Sequence, residues 1–189
     1  KVIDEVGLKP WVQLSDAERT KVINLLLPYV YLPTLIHELG HNLGLRHNFR
    51  GSRWRTAEQL ADPVLTQREG ISASVMDYSA INLPAPGHPA PAPFQTTLGP
   101  YDYWAIEYAY KPIAPEQENA ELLRIAARSS DPLLAFGTDE DAAFGIDPET
   151  IQLDLGADPI AYAAKRLEIA RDLFAREERR ELKSDQSYA

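Results

Sequence analysis

A mainly α fold interrupted by long irregular loops is what this sequence predicts. Three observations carry the prediction. Apolar residues recur at helical spacing behind recognisable caps, strand-like alternation is scarce, and about 50 residues in the middle follow no period. Ser15 and Glu18 form a capping-box pattern, so a helix is expected from Asp16 to just before Pro28. Pro33 suits the first turn of a second helix reaching about Leu43. Its Leu35, Ile36, Leu39 and Leu43 spread apolar surface over more than one face, and such a helix is expected to be buried. Residues 46–97 hold glycines, serines and a proline-rich stretch at 84–93, with little helical periodicity outside Thr56 to Ala61. A stretch of that length wraps a functional site or is disordered.

Beyond Gly99 the pattern turns helical again. Residues 100–110 predict a short aromatic helix, with Tyr101, Trp104, Ile106 and Tyr108 available for packing. Pro115 opens another helix through about Arg128, with Leu122, Leu123 and Ala126 as its core stripe. Residues 131–158 read as an acidic connector. Asp158 and Pro159 cap a long helix to about Glu181, with Ile160, Ala164, Leu167, Ala170 and Phe174 along one side. The tail from Lys183 is polar and expected to fray. No internal repeat is visible.

Composition bounds the function. A chain of 189 residues fits one domain with a single core, and 44% hydrophobic with 25% charged residues is ordinary for a soluble globular protein. A net charge of −9 and a pI near 4.9 argue against a nucleic-acid partner, because phosphate binding needs a basic surface. No apolar run approaches the roughly 18 residues that span a bilayer, so no membrane segment is expected. There are no cysteines, which excludes disulfides and leaves the redox compartment unread. The chain opens on Lys1 and its only methionine is Met76, so it reads as a fragment of a longer protein.

The chemistry is concentrated in His37 to His47, HELGHNLGLRH, which fits H-E-x-x-H-x-x-G-x-x-H at every specified position. Residues four apart share a helix face, so His37 and His41 can present imidazoles to one metal ion. Glu38 projects from a neighbouring direction and can reach water at the metal as a general base. Gly44 permits the positive φ that ends a helix and turns the chain back, bringing in His47. Three neutral imidazoles with an open fourth position are what a catalytic Zn²⁺ requires. A chance match in a chain of this composition is on the order of one in 10⁵. The competing reading, histidines that merely pack or cap, is much the weaker.

Downstream, residues 74–80 read SVMDYSA. The zinc motif followed by a methionine-containing turn resembles the metzincin clan of zinc peptidases. The resemblance implies that Met76 lies beneath the zinc ligands as a hydrophobic base. In astacin-like and serralysin-like members a tyrosine two residues later can approach the zinc, and Tyr78 stands at that place. Its phenol would ligate zinc at rest or hydrogen-bond the oxyanion during turnover. HNFRGS after the motif, GPYDYWAIEYAY at 99–110, FGTDED at 136–141 and DLGADP at 154–159 narrow the resemblance to large bacterial zinc-dependent metalloproteases with a Met-zincin catalytic region. It implies the C-terminal part of a metzincin catalytic domain, with zinc helix, Met-turn and closing helix in residues 1–112 and extra helices in 113–189. It also implies a periplasmic, outer-membrane-associated or secreted location. Residues 79–84 would resemble the wall of the pocket for the residue after the cleaved bond.

One departure matters. Metzincins place a twisted sheet and an upper helix before the zinc helix, and 36 residues precede His37 here. The upper half is therefore expected from another part of the parent protein, packed against this chain. The function expected is zinc-dependent hydrolysis of peptide bonds in a protein or peptide substrate. The alternatives are a non-catalytic zinc-binding helical module and a zinc hydrolase of non-peptide substrates. Other features read plainly. His88 is an exposed loop histidine rather than a fourth ligand. The run Asp139, Glu140, Asp141, Asp147, Glu149 and Asp154 is a solvated acidic loop, lacking the EF-hand spacing of a calcium site. Arg50, Arg53 and Arg55 read as surface charge. Tyr101, Tyr103, Trp104, Tyr108 and Tyr110 read as core packing.

Overall fold

Helix α1, Asp16–Asn42, begins where the capping box places it: the Glu18 amide donates to Ser15 Oγ at 3.3 Å, and the Ser15 amide donates to Glu18 Oε2 at 2.8 Å. The computed structural model describes residues 14–85 and 87–179, so the expected fraying from Lys183 lies outside the described residues. Contrary to expectation, α1 does not stop at Pro28. It runs through Pro28 and Pro33 as one element. Each proline removes one helical hydrogen bond, and the carbonyls left over belong to the exposed residues Asn24 and Tyr29, where water can take them.

The expected burial of the second half of α1 is also corrected. Only His37 and Gly40 are buried, while Leu35, Leu39 and Leu43 are exposed, as are Ile23, Leu26 and Val30 further up. By length and composition this helix is apolar enough to cross a bilayer, which overturns the reading that no segment approaches that limit. Its last two turns carry His37 and His41 and are tied by hydrogen bonds to the rest of the protein.

The segment after α1 is irregular yet ordered. It contains a 3₁₀ turn at Gly51–Trp54, α2 at Ala57–Ala61 and α3 at Pro63–Glu69. The α3 helix was not anticipated, although Asp62 as N-cap and Pro63 in the first turn are its signal. Buried side chains bond the main chain that lacks a ladder. Gln95 Oε1 accepts from the amides of Ile71 (2.6 Å) and Ser72 (2.8 Å), Asn82 Nδ2 donates to the Leu60 carbonyl (2.8 Å), and Thr66 Oγ1 accepts from the Ala92 amide (2.9 Å). Leu60, Ile71, Ala80, Ala92 and Leu155 form the core cluster.

Helix α4 spans Pro100–Tyr110, as expected, and α5 spans Glu118–Ala126 between short 3₁₀ turns. Trp104 Nε1 donates to the Ile125 carbonyl at 2.8 Å and joins the two. In α5 the buried residue is Ile125, whereas Leu123 of the expected stripe is 72% exposed. The aromatic stripe of α4 is likewise only partly core: Tyr101 is buried, but Tyr103, Tyr108 and Tyr110 are exposed. Tyr110 uses its hydroxyl to donate to the Leu43 carbonyl at the end of α1 (2.9 Å).

Residues 135–157, expected as a connector, fold back across the middle of the chain. Main-chain amides of Leu153, Gly156 and Ala157 donate to the carbonyls of Tyr78, Ser52 and Arg55, and the Ala80 amide donates to Asp154. Helix α6, Asp139–Ala143, lies in this segment. Helix α7, Pro159–Glu178, starts on Asp158 as expected, its carboxylate accepting from the amides of Ile160 and Ala161. It turns Ile169 inward and packs Tyr162 against the core, leaving Ile160 and Phe174 of the expected stripe exposed. The fold is mainly α, and no strand occurs among the described residues.

Candidate metal centre

The last turn of α1 brings His37 and His41 onto one side, and the chain then reverses at Gly44. That reversal is hydrogen-bonded twice: the Leu45 amide donates to the Gly40 carbonyl (3.0 Å) and the Gly44 amide to the His41 carbonyl (2.9 Å). This is the Schellman pattern, and Gly44 takes the left-handed φ of 84° that it demands. His47 is thereby returned to the helix end. One nitrogen from each of His37, His41 and His47 falls within 4.8 Å of the others, and the Nε2 atoms of His41 and His47 are 3.2 Å apart.

The other ring nitrogens fix which atoms these are. The Nδ1 of His37 donates to the Val75 carbonyl at 2.8 Å, that of His41 to the Leu45 carbonyl at 2.9 Å, and that of His47 to Asp139 at 2.8 and 3.0 Å. Carbonyls and carboxylates only accept, so every Nδ1 carries a proton, and in the neutral imidazole Nε2 is then the nitrogen with the lone pair. The Nε2 of His37 is buried without a partner. Burial also pushes the His37 pKa down, against the pull of the Val75 carbonyl, which favours the neutral form a ligand needs. Three inward lone pairs, one of them stranded, fit a metal cation.

Met76 packs against the helix that carries the first two histidines. It is fully buried, and its sulfur lies against Gly40, between the two helical histidines. Its turn is joined to both ends of the motif, through His37 to the Val75 carbonyl and through the Asn48 amide to the Met76 carbonyl (2.9 Å). The buried carboxylate of Asp102 in α4 anchors the turn, accepting from Ser74 Oγ (2.7 Å), the Val75 amide (2.9 Å) and the Gly99 amide (2.8 Å). Burial pushes its pKa up in spite of these donors.

Glu38 is exposed and shares an open cleft of about 290 Å³ with His37, Tyr78, Val75, Phe94 and Leu153. Of the expected wall at 79–84, Ser79 lines the cleft. The Tyr78 ring stacks on His37 (centroids 5.2 Å apart) and leans on His47 (4.6 Å) and Phe49 (5.3 Å).

Sequence reasoning missed Asp139 and Asp102. Both lie in stretches singled out for resemblance, FGTDED and GPYDYW, but nothing local shows what their carboxylates meet. The acidic run is therefore not a solvated loop throughout: Asp139 holds His47, Asp147 and Glu149 pair with Arg50, and Asp154 is buried on Ser52 Oγ (2.7 Å). The arginines are corrected with it, since Arg55 is 4% exposed and bonded to Glu69. His88 is exposed and away from the cluster, as expected.

The family model described as Met-zincin matches residues 24–189. This chain belongs to the Met-zincin family. It is a metzincin-type zinc metallopeptidase region, and zinc is the metal that the family implies for its three histidines. No curated protein and no solved structure matches this Met-zincin chain.

Proposed function

We propose that this Met-zincin chain carries the catalytic centre of a zinc-dependent endopeptidase, with His37, His41 and His47 as ligands, Glu38 as general base, and Met76 as the methionine of the Met-turn. The observation that carries this reading is the convergence of three Nε2 lone pairs beside a cleft that Glu38 also lines. Zinc held there supplies Lewis acidity, bringing the pKa of a water toward about 7 and polarising a carbonyl. Glu38 accepts a proton from the attacking water and delivers it to the leaving amine. The Tyr78 hydroxyl, on a ring stacked against His37, donates to the developing oxyanion. Val75, Phe94 and Leu153 offer apolar walls to a substrate side chain, and the substrate is a protein or peptide in an exported compartment.

The exposed apolar face of α1 supports a further part of the proposal: a separate segment of the parent protein covers Ile23, Leu26 and Val30 and supplies the upper wall of the cleft. That same face favours the second reading, a zinc-bearing interaction module without turnover. Cleavage of casein and of a peptide library, measured with and without chelator, separates them. Chelator-sensitive cleavage restored by zinc is expected. One equivalent of zinc with no cleavage of any peptide would leave the module.

A further inference from the structure

The third histidine is held differently from the first two. His37 and His41 are one helical turn apart, so α1 sets their spacing, and their Nδ1 atoms donate to main-chain carbonyls. His47 lies in irregular chain beyond the helix, and its Nδ1 donates to a side-chain carboxylate, Asp139, at 2.8 and 3.0 Å.

Asp139 is itself well supported. It is the first residue of α6, and Thr138 Oγ1 donates to its Oδ2 at 3.3 Å. The Arg46 guanidinium lies 3.6 Å from the same oxygen and bonds the adjacent Glu140 at 2.7 Å. On the other side of His47, the Phe49 amide donates to the Gly137 carbonyl (2.8 Å). Asn48 donates through Nδ2 to the Ala135 carbonyl (3.1 Å) and accepts from the Gly137 amide (3.2 Å). Residues 46–49 and 135–140 thus form a clamp that holds the carboxylate against the His47 ring.

We propose that Asp139 is a positioning residue for the metal site, fixing the His47 ring with Nε2 turned toward His37 and His41. This rests on the zinc reading given above. A ring that gives its lone pair to a cation becomes electron-poor, and an anion on the opposite nitrogen stabilises that change more than a neutral carbonyl does. Without an acceptor on Nδ1 the ring also loses the hydrogen bond that sets its angle about the broad χ2.

The test uses the whole chain and zinc alone as probe, with affinity measured against a competing chelator and Co²⁺ absorption as a second readout. Asp139→Ala is expected to weaken zinc binding by about 10–100-fold, the usual cost of losing such a partner. Asp139→Asn, whose amide oxygen still accepts the Nδ1 proton, recovers part of the loss. Glu140→Ala, which breaks the Arg46 pair on the same helix without removing the acceptor of His47 Nδ1, loses much less than Asp139→Ala. The cobalt bands shift in the Asp139 variants and not in Glu140→Ala. Wild-type affinity in Asp139→Ala would overturn the proposal, and so would an equal loss in Glu140→Ala, which would reduce the effect to anchoring of α6. If Asp139→Ala does not fold, Asp139→Asn decides, because unchanged affinity with an unchanged cobalt spectrum would overturn it. The zinc reading fails separately, by a wild-type chain that binds no zinc or a His41→Ala chain that binds it fully.

Discussion

The sulfur of Met76 occupies the space in which a side chain at residue 40 would stand. A Cβ built on Gly40 would overlap Sδ and lie 3.3 Å from the terminal methyl, and Met76 is fully buried with no exposed direction to retreat into. Helix propensity alone would favour alanine at position 40 by about 1 kcal/mol. Overpacking of about 1–3 kcal/mol opposes it. Gly40→Ala is therefore expected to lower stability in urea unfolding, and Met76→Ala in the same chain to relieve part of that loss. Additive effects in the double-mutant cycle would show that the two residues do not press on one another.

Gly44 separates conformation from contact. Nothing lies within 4 Å of the Cβ it lacks, so a substitution there meets only backbone strain at φ 84°. Gly44→Val forces a β-branched residue into the left-handed region, at a cost of at least about 1–2 kcal/mol. Zinc affinity is expected to fall about tenfold or more although no ligand has changed. Gly44→Asn, better tolerated in that region, should lose much less. Chelator competition on both variants checks the order, and equal affinities would detach His47 from the turn.

Glu38→Gln keeps the shape of the side chain and removes its basicity. Zinc content by elemental analysis should stay at one equivalent, while peptide hydrolysis by the active protein falls by about 10²–10⁴. Near-wild-type turnover in this variant would reassign the base.

Asp77 gives the fold a pH dependence of definite sign. Burial pushes its carboxyl well above the usual range, the charge on Asp154 adds to this, and the hydrogen bond from Ser72 Oγ at 3.2 Å only partly offsets them. Between the ordinary carboxylate value near 3.9 and its raised folded value, the folded chain holds a proton that the unfolded chain has released. Its contribution to stability is therefore complete below that ordinary value and is lost as pH rises through the folded one. Asp77→Asn should flatten the fall. Urea unfolding of both chains across that range measures it, and parallel curves would remove Asp77 as the cause.

The elements that could be read in advance are those whose causes lie within a few residues. The α1 cap is a Ser15–Glu18 exchange, α4 starts at Gly99–Pro100, and the meeting of His37, His41 and His47 follows from one turn of helix and the reversal at Gly44. The prolines of α1 misled because the local penalty at Pro28 and Pro33 is tolerable where the freed carbonyls lie on exposed residues. The faces of α5 and α7 misled for another reason. Periodicity finds an apolar stripe, but packing chose Ile125 and Ile169 instead. Asp102 and Asp139 were silent since their partners, Ser74 and His47, lie 28 and 92 residues away and leave no spacing to detect.

The clamp on His47 also sets the order in which the site matures. A chain emerging from the ribosome can wind α1 and present His37 and His41 long before α6 exists. The third imidazole is aligned only after residues 135–140 have returned to Arg46–Phe49. Closing that loop is slow relative to helix formation. A nascent or misfolded chain therefore offers a metal two imidazoles and holds it weakly, and firm loading waits for the downstream segment. Metal retention becomes a report on whether residues 135–140 have folded against Arg46–Phe49.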